Sequence, residues 1–467
     1  MMQQVWGQVR EMAMSQTAIL NGSGQKHFLP RFLRPPPPAP PISEPGEIQR
    51  VYSHYRPRIL FWSTVGYGSF YFVRKNLSVA MPIMQQQLHI SKAGLGLILT
   101  LHGVVYGICK FLGGIAADRA NARIFMSLAL LASAIVNIFF GLSSSLLFFG
   151  ILWMINGVFQ GMGYPPCARL LTHWFSPKEL ATKMSFWNAS HSLGGGAIVI
   201  LCGYLVSHYH TWRVCFFVPS LIAAVMAVLL LIYLRDTPAS VGLPEIEGTH
   251  VPGGDTADES PAQFRDFLRR QVFRNKYIWI VSIANFFVYT IRFAVFDWGP
   301  TVLKEAKGVN LVGASWMVAA FEVAGLAGMI STGYLTDRIF KGRGAPLSML
   351  SMLLCGVSIF LFWHAPNRMV WLNTSLLMCC GFFVYGPQAL VGVMAANLAT
   401  KRAAATAVGL TSIFGYASTV ASGWGMGVLA QNYGWGPAFI CLIVVAAVGA
   451  ALFATALPAK ANGYSTD

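Results

Sequence analysis

Apolar runs of about 20 residues recur along the whole chain and alternate with short polar segments, and each is long enough to cross the ~30 Å hydrocarbon core of a bilayer as a helix. Twelve runs are predicted, starting near residues 58, 93, 124, 146, 184, 213, 277, 312, 347, 370, 404 and 437. The pattern predicts an all-α polytopic membrane protein with twelve transmembrane helices.

The longer polar segments divide the chain. Residues 1–57 precede the first run and contain RPPPPAPPISEPG, a composition that favours a proline-rich spacer over a packed domain or a docking segment. Residues 236–276 form a linker between six runs over 58–235 and six runs over 277–458, and residues 459–467 form a second tail. The predicted organisation is two six-helix halves.

A short motif recurs in the two halves. YFVRKNLSVAMP contains Tyr71 and Arg74, and YTIRFAVFDWGP contains Tyr289 and Arg292, each 218 positions later. The motif GIAADR recurs as GYLTDR at nearly the same offset, 219 positions. Internal repeats of this kind are typical of secondary transporters that bind their substrate between two halves. The repeat therefore predicts pseudo-symmetric halves around a central site.

The composition agrees with this architecture, since 55% of the residues are hydrophobic, 11% are charged and the mean hydropathy is +0.56. A soluble protein typically has about 25% charged residues. All eight cysteines fall within predicted helices, without disulfide or metal spacing. No P-loop, metal motif or large soluble domain is visible, so neither an enzyme nor an ATP-driven pump is predicted, and no cofactor.

The net charge of +16 follows from topology rather than from a nucleic-acid partner. With the N-terminus inside, the inner segments contribute 20 lysine and arginine residues, from Arg50 to Lys460, whereas the outer loops contribute five. Such a bias is the positive-inside rule, and it predicts that both termini lie in the cytoplasm. No signal peptide is visible before the first apolar run, which begins near Ile59.

Six charged residues lie inside the predicted spans, and they leave a net charge of +2: Arg74, Lys75, Lys110 and Arg292 against Asp297 and Glu322. A charge within the membrane requires a partner or a hydrated cavity. A doubly positive cavity suits a phosphate monoester, which carries about −1.5 to −2 charges at pH 7. Arginine has the planar fork that binds two phosphate oxygens together.

Two interpretations of these charges are open. Internal ion pairs are favoured for Lys75, Asp297 and Glu322, whereas ligand binding is favoured for Arg74 and Arg292, which are equivalent in the repeat. Lys110 fits either role. A lone membrane histidine, His191, is by itself more often a packing residue. The same holds for each tyrosine that can line a sugar-sized cavity, namely Tyr67, Tyr71, Tyr289, Tyr385 and Tyr416. The glycines of GVVYG (103–107) and GLAG (325–328) predict close helix packing.

With these residues in place, the sequence resembles the organophosphate:phosphate antiporters of the major facilitator superfamily. The motifs that carry the resemblance extend over residues 55–455: GYGSFYFVRKNLSVAMP, YGICKFLGGIAADRANAR, WNASHSLGGG, LRDTPASVGLPEIE, VYTIRFAVFDWGPTVL, FEVAGLAG and FFVYGPQALVG. The loop motif G-x-x-x-D-R alone would indicate only the superfamily.

The resemblance implies a major facilitator fold, a phosphate site with two arginines, and exchange of an organic phosphate for inorganic phosphate. The family's site arginines correspond to Arg74 and Arg292, its binding histidine to His191 and its second-helix lysine to Lys110. Its aromatic lining corresponds to Tyr67, Tyr71, Tyr289, Tyr385 and Tyr416. The resemblance also implies that Lys75, Asp297 and Glu322 form a charge network near the gate.

Two further stretches, SIFGYASTVASGWG and FVYGPQALVGVMAANLATKRAAATAVG, are similar to the branch that contains the bacterial hexose-phosphate receptor and glucose-6-phosphate transporters. This branch implies a monomeric antiporter of the bacterial inner membrane that exchanges glucose 6-phosphate for inorganic phosphate. The alternative is a receptor that senses glucose 6-phosphate and signals to a membrane-bound histidine kinase. Both would use the same site, so the spans leave the two open. The proline-rich tail departs from the family's pattern.

Overall fold

The computed structural model of this chain describes residues 30–117, 120–246, 266–340, 342–399 and 403–459. Over these ranges the chain is helical and contains no β-strand. The rest of the predicted tails and linker lies outside the described residues. So do several charged residues used in the topology prediction, namely Arg119, Arg265, Lys341, Lys401, Arg402 and Lys460.

Fifteen α-helices are described, eight in the N-terminal half and seven in the C-terminal half. The first eight are α1 (Pro45–Phe72), α2 (Asn76–Leu88), α3 (Lys92–Ala117), α4 (Ala122–Leu142), α5 (Leu146–Gly161), α6 (Tyr164–Trp174), α7 (Pro177–Tyr209) and α8 (Val214–Tyr233). The others are α9 (Lys276–Lys307), α10 (Leu311–Arg338), α11 (Gly344–His364), α12 (Val370–Leu398), α13 (Ala404–Ala417), α14 (Met426–Tyr433) and α15 (Trp435–Thr455).

These helices account for the twelve predicted spans. Within the described residues, ten helical segments are long and apolar enough to cross a membrane, counting α5 and α6 as one. The other two predicted spans are interrupted. The first consists of α1 and α2, and the eleventh consists of α13, a π-helical segment at Val420–Gly425, and α14. All twelve predicted spans are therefore present as helices, two of them interrupted, although α1 begins at Pro45, inside the predicted tail.

The interruption of the first span determines where two of its charges lie. α1 ends at Phe72, and Arg74 and Lys75 follow in a turn before α2. The Val73 carbonyl accepts hydrogen bonds from the side-chain amides of Asn137 and Asn156, both 2.9 Å long. A break within a membrane span is tolerated when neighbouring helices satisfy the freed backbone groups. Buried amides on α4 and α5 thus stabilise the turn that holds both cations.

Contacts between the halves are concentrated at one end of the bundle, where α3, α7 and α9 meet the opposite half. A Cβ atom on Gly203 of α7 would lie 2.4 Å from Ser315 Oγ of α10, so these helices are in close contact. Lys92 at the start of α3 forms a 2.8 Å ion pair with Glu305 near the end of α9. We call this end, marked by these four residues, the closed end.

Beyond the closed end the halves diverge. Every hydrogen bond that joins described residues of the two halves lies between this end and a contact of Lys110 with Tyr416. The halves therefore enclose a space that widens toward the opposite end of the bundle.

The described part of the predicted N-terminal tail lies against the N-terminal half. The Leu33 carbonyl accepts a 2.7 Å hydrogen bond from the Asn121 amide, and the Ile42 amide donates a 2.8 Å hydrogen bond to the Gly242 carbonyl. Gly242 has a φ of +79°, and a Cβ atom there would lie 2.4 Å from the Pro40 carbonyl oxygen. This stretch of the tail is consequently docked onto the start of the linker, whereas the sequence favoured a spacer.

Candidate functional site

The two halves enclose a cavity of about 640 Å³ with residues from both halves on its walls. This volume falls in the usual range for small-molecule sites, about 300–1,000 Å³. All nine residues that the sequence assigned to ligand binding line it: Tyr67, Tyr71, Arg74, Lys110, His191, Tyr289, Arg292, Tyr385 and Tyr416. Lys75 and Asp297 also line it. The fold therefore brings together side chains that are as much as 349 positions apart in the sequence.

Arg74 and Arg292, which we call the arginine pair, are held by aromatic rings rather than by carboxylates. Arg74 Cζ lies 4.0 Å from the centre of the Tyr71 ring and 5.2 Å from that of Tyr106. Arg292 Cζ lies 4.7 Å from the centre of the Tyr385 ring. Rings at this distance attract a cation without neutralising it.

Neither arginine forms an ion pair with a described carboxylate. The Nε atom of each is buried and has no hydrogen-bond partner among the described residues. The pair thus keeps two positive charges and unused donors beside the cavity, which is the arrangement that an anion would complete.

His191 is held in place by Tyr71, whose ring also contacts Arg74, and by Tyr67. The Tyr71 hydroxyl and His191 Nδ1 are 2.7 Å apart, and the centres of the Tyr67 and His191 rings are 4.9 Å apart. If the hydroxyl donates, Nδ1 accepts and the neutral ring carries its proton on Nε2. His191 then offers an N–H donor close to the Arg74 side of the cavity.

Lys110 connects the two halves on the wall of the cavity. Its Nζ donates to the Tyr416 hydroxyl over 3.3 Å and lies 4.3 Å from the centre of the Tyr164 ring. Lys110 has no carboxylate partner among the described residues, so it adds a third uncompensated charge.

The predicted charge network is only partly formed as an ion pair. Lys75 Nζ and Asp297 Oδ1 are 2.5 Å apart across the two halves, with 12% and 11% of their side chains exposed. Glu322, in contrast, is fully buried behind the cavity wall and accepts a hydrogen bond from the Tyr385 hydroxyl. Its Oε2 atom has no hydrogen-bond partner among the described residues. Glu322 therefore contacts the ring that carries Arg292 and interacts with the Arg292 charge at longer range, but it forms no direct ion pair with a described base.

Glycines of both predicted motifs leave the space that two tyrosines of the site occupy. A Cβ atom on Gly107 would lie 2.8 Å from Tyr416 Cβ, and one on Gly325 would lie 2.5 Å from Tyr385 Cδ2. Real Cβ atoms do not approach so closely. The prediction of close helix packing at both motifs is confirmed, and this packing sets the depth of both rings.

The sequence analysis missed several polar and aromatic residues on the cavity wall. All of them except Tyr164 share one signal, because each lies one helical turn from a predicted residue or beside one in the chain. The missed residues are Tyr106, Tyr164, Asn188, Phe293 and Gln388. In the described part of the chain, no group of three or more histidine, cysteine, aspartate or glutamate residues is arranged to hold a metal ion.

Comparisons with known proteins agree with this architecture. The Major Facilitator Superfamily model matches residues 64–423. A probable hexose phosphate transport protein of Chlamydia trachomatis serovar D is 40% identical over 91% of this chain and 95% of its own length. A glycerol-3-phosphate transporter of Bacillus subtilis is 38% identical over 87% of this chain and 94% of its own length.

A sensor protein is also similar to this chain. The membrane sensor protein UhpC of Escherichia coli is 34% identical over 92% of this chain and 98% of its own length. Among solved structures, a bacterial homolog of the human lysosomal transporter Spinster, in an inward-facing and occupied conformation, has a TM-score of 0.70 at 16% identity. It covers 87% of this chain and 97% of the other, and at this identity it bears on the fold alone.

Proposed function

We propose, from the premise that this chain belongs to the Major Facilitator Superfamily and within it to the organophosphate:phosphate antiporter family, that it exchanges a sugar phosphate for inorganic phosphate across a membrane. Glucose 6-phosphate is the proposed organic substrate. One observation carries the proposal: the arginine pair comes from equivalent positions of the two halves and meets one cavity without carboxylate partners. The family consists of transporters rather than enzymes.

The geometry suggests how binding is coupled to movement. A phosphoryl group between Arg74 and Arg292 would contact both halves at once and would neutralise charges that the halves bring together. Closing the cavity around uncompensated cations is costly without an anion. Because a ligand shifts a conformational equilibrium only through its differential affinity, phosphate would favour the closed, occluded state. A transporter with an empty cavity would switch slowly between its inward-open and outward-open conformations. Exchange of one phosphate compound for another is therefore expected rather than net uptake.

The other side chains have supporting roles in this proposal. His191 and Lys110 donate to the phosphoryl oxygens, and the tyrosines flank the ligand with their rings. The Lys75–Asp297 ion pair stabilises the closed end of the cavity, and Glu322 holds the Tyr385 ring beneath Arg292. No bound cofactor takes part, and the transporter acts as a monomer.

The proposed orientation places both termini in the cytoplasm of a bacterial inner membrane. The closed end then faces outward, and the cavity is reached from the cytoplasm. Substituting Ser43→Cys in the tail and Ser260→Cys in the linker should give sites that a membrane-impermeant maleimide labels only after permeabilisation. Ser145→Cys, at the exposed start of α5, should be labelled in intact cells above the background of the native cysteines. Labelling of residues 43 and 260 in intact cells would show that the orientation is the reverse of the proposed one.

Exchange itself is tested with purified protein in proteoliposomes. Vesicles loaded with labelled inorganic phosphate should release it when glucose 6-phosphate or unlabelled phosphate is added outside. Release should stay near the protein-free background when neither ligand is added. Equal release with and without an external phosphate compound would contradict obligatory exchange.

A second candidate function is supported by the similarity to the membrane sensor protein UhpC. A receptor for glucose 6-phosphate would bind through the same arginine pair and would signal to a membrane-bound histidine kinase. The same vesicles distinguish the two functions. Binding of glucose 6-phosphate to the purified protein without phosphate exchange would favour the receptor.

A further inference from the structure

A π-helical segment interrupts the eleventh span between the cavity and the closed end. The segment covers Val420–Gly425 and follows α13, which contains Tyr416 of the cavity wall. α14 follows the segment and lies at the closed end, because a Cβ atom on Gly427 would lie 2.5 Å from the Lys92 carbonyl oxygen. π-Helical turns are rare and occur frequently at functional sites. The groups that stabilise this turn therefore bear on how the closed end opens.

A single hydroxyl group of the N-terminal half binds two backbone groups of this turn. Thr100 Oγ1 on α3 donates to the Thr419 carbonyl over 2.8 Å and accepts a 2.9 Å hydrogen bond from the Trp424 amide. Thr419 and Trp424 are five positions apart, which is the spacing of a hydrogen bond in a π-helix. A hydroxyl group can donate and accept at the same time, so Thr100 serves both backbone groups together.

Glycines on both sides of Thr100 let α3 approach the turn closely. Gly96 lies four positions before Thr100 and Gly103 lies three positions after it, so the three residues share one face of the helix. A Cβ atom on Gly96 would lie 2.4 Å from the Gly423 carbonyl oxygen, and one on Gly103 would lie 2.4 Å from Thr419 Cγ2. Larger residues at both positions would hold α3 away, and the short Thr100 side chain would not reach the backbone of the eleventh span.

Another backbone group of the turn has its partner within its own half. The buried Trp298 indole on α9 donates a 2.9 Å hydrogen bond to the Ser422 carbonyl. Because α9 and the eleventh span belong to the same half, this bond is compatible with movement of the halves against each other. The two bonds of Thr100 are not, because α3 belongs to the opposite half. They exist only while the halves are in contact at the closed end.

The hydroxyl is consequently needed in one conformation only. Thr100 and Thr419 are each 8% exposed, so the closed end leaves little room for water to replace the hydroxyl. Backbone groups inside a membrane protein must be satisfied by protein groups or by water in a cavity. Once the closed end opens, water reaches the Thr419 carbonyl and the Trp424 amide and can serve both.

We propose that Thr100 is a gating residue of the closed end, and that its hydroxyl stabilises the closed conformation by completing the π-helical turn of the opposite half. The inference deepens the proposed function and rests on it in one respect, since alternating access requires this end to open. Thr100 is not among the residues that line the cavity, so its hydroxyl acts on the equilibrium between conformations rather than on the ligand.

The test measures the distance between the halves at the closed end, in full-length protein reconstituted into nanodiscs. Spin labels are attached through a ketone-bearing amino acid at positions 86 and 304, which leaves the native cysteines unchanged. Lys304 Nζ lies 3.3 Å from Gln86 Oε1, so these positions are close together when the end is closed. Double electron–electron resonance then gives the populations with short and long distances.

Thr100→Val retains the shape of the side chain and removes the hydroxyl. It should raise the ratio of the open to the closed population about tenfold, because two buried backbone groups lose a partner in the closed conformation. Thr100→Ser retains the hydroxyl and should keep this ratio within twofold of wild type.

Thr290→Val is the matched control. Thr290 is also a buried threonine, but its hydroxyl donates to the Phe286 carbonyl within α9, so this variant should keep the ratio within twofold of wild type. An unchanged ratio in Thr100→Val would overturn the proposal. A shift of equal size in Thr100→Ser or in Thr290→Val would overturn it as well, since the effect would then not depend on this hydroxyl.

Phosphate exchange in proteoliposomes separates the gate from the proposed function. Wild-type protein that does not exchange phosphate, although Thr100→Val shifts the ratio, would refute the antiport proposal alone. Wild-type protein that exchanges phosphate, with an unchanged ratio in Thr100→Val, would refute the gating role of Thr100 alone.

Discussion

Replacing Arg74 or Arg292 with lysine should weaken binding of inorganic phosphate and of glucose 6-phosphate together, by a factor of ten or more for each ligand. Charge-assisted hydrogen bonds contribute roughly 1.5–3 kcal/mol each, and lysine retains the charge but loses the planar fork that meets two oxygens. Both ligands should be affected because the arginine pair binds the phosphoryl group, which is the part that the two ligands share. Titration of the purified variants with each ligand measures the effect.

The surroundings of the arginine pair explain why lysine is a poor substitute. Each guanidinium lies near aromatic rings, with Arg74 Cζ only 4.0 Å from the centre of the Tyr71 ring. A planar guanidinium can stack on such a ring and still direct its N–H groups toward an anion, whereas an ammonium group is a compact, strongly hydrated charge. The substitution therefore loses orientation as well as hydrogen bonds.

Arg58→Lys provides a matched control for this prediction. Arg58 also lies over a tyrosine, with Cζ 5.0 Å from the centre of the Tyr233 ring, and donates to the Tyr233 carbonyl, but it is outside the cavity. This variant should bind both ligands as the wild type does. Wild-type affinity in both Arg74→Lys and Arg292→Lys would show that the pair serves structure rather than ligand binding.

Much of the fold follows from the hydropathy pattern, but the interruption of the first span does not. The pattern identifies an apolar run that includes Val73 and treats the adjacent cations as exceptions. The amides that stabilise the break, on Asn137 and Asn156, are more than 60 positions away and contact Val73 only after α4 and α5 pack beside α1. A single isolated polar residue in an apolar run gives no indication of which carbonyl it will bond.

The repeat predicted that Arg74 and Arg292 would share a site, and the structure places both on one cavity even though their local structures differ. Arg74 lies in the turn between α1 and α2, whereas Arg292 lies within the continuous helix α9. Equivalent sequence positions thus line the same cavity although their backbone conformations differ.

The partner of Glu322 could not be found in the same way. A count of charges in the spans predicts that acids pair with bases, but helix rotation decides which side chain each acid meets. Glu322 faces α12 and accepts from Tyr385, because Gly325 and Gly328 let α12 approach α10 closely. Asn188 and Gln388, which also line the cavity, were missed for a related reason, since neither has a charge that marks it against an apolar background.

Asp297→Asn should slow phosphate exchange by about tenfold or more while the purified protein still binds inorganic phosphate. Asp297 and Lys75 form an ion pair between the halves, so the pair stabilises a conformation in which these parts of the halves are in contact. Removing one member of a buried pair leaves an uncompensated charge, which costs about 3–5 kcal/mol in a dry interior. The cost is lower here because both side chains are partly exposed to the cavity, yet a shift of about 1.4 kcal/mol already changes a population tenfold.

The exchange rate should fall more than the binding affinity, because transport requires repeated passage between two conformations whereas binding requires only one of them.

A double-mutant cycle separates the interaction between Lys75 and Asp297 from the effect of each residue alone. Lys75→Gln in the Asp297→Asn background removes the unpaired ammonium, so the double variant should exchange faster than the product of the two single effects predicts. Multiplicative effects would contradict a direct energetic coupling between the two side chains. Complete loss of phosphate binding in a folded Asp297→Asn protein would instead place Asp297 in the ligand site, beside the arginine pair.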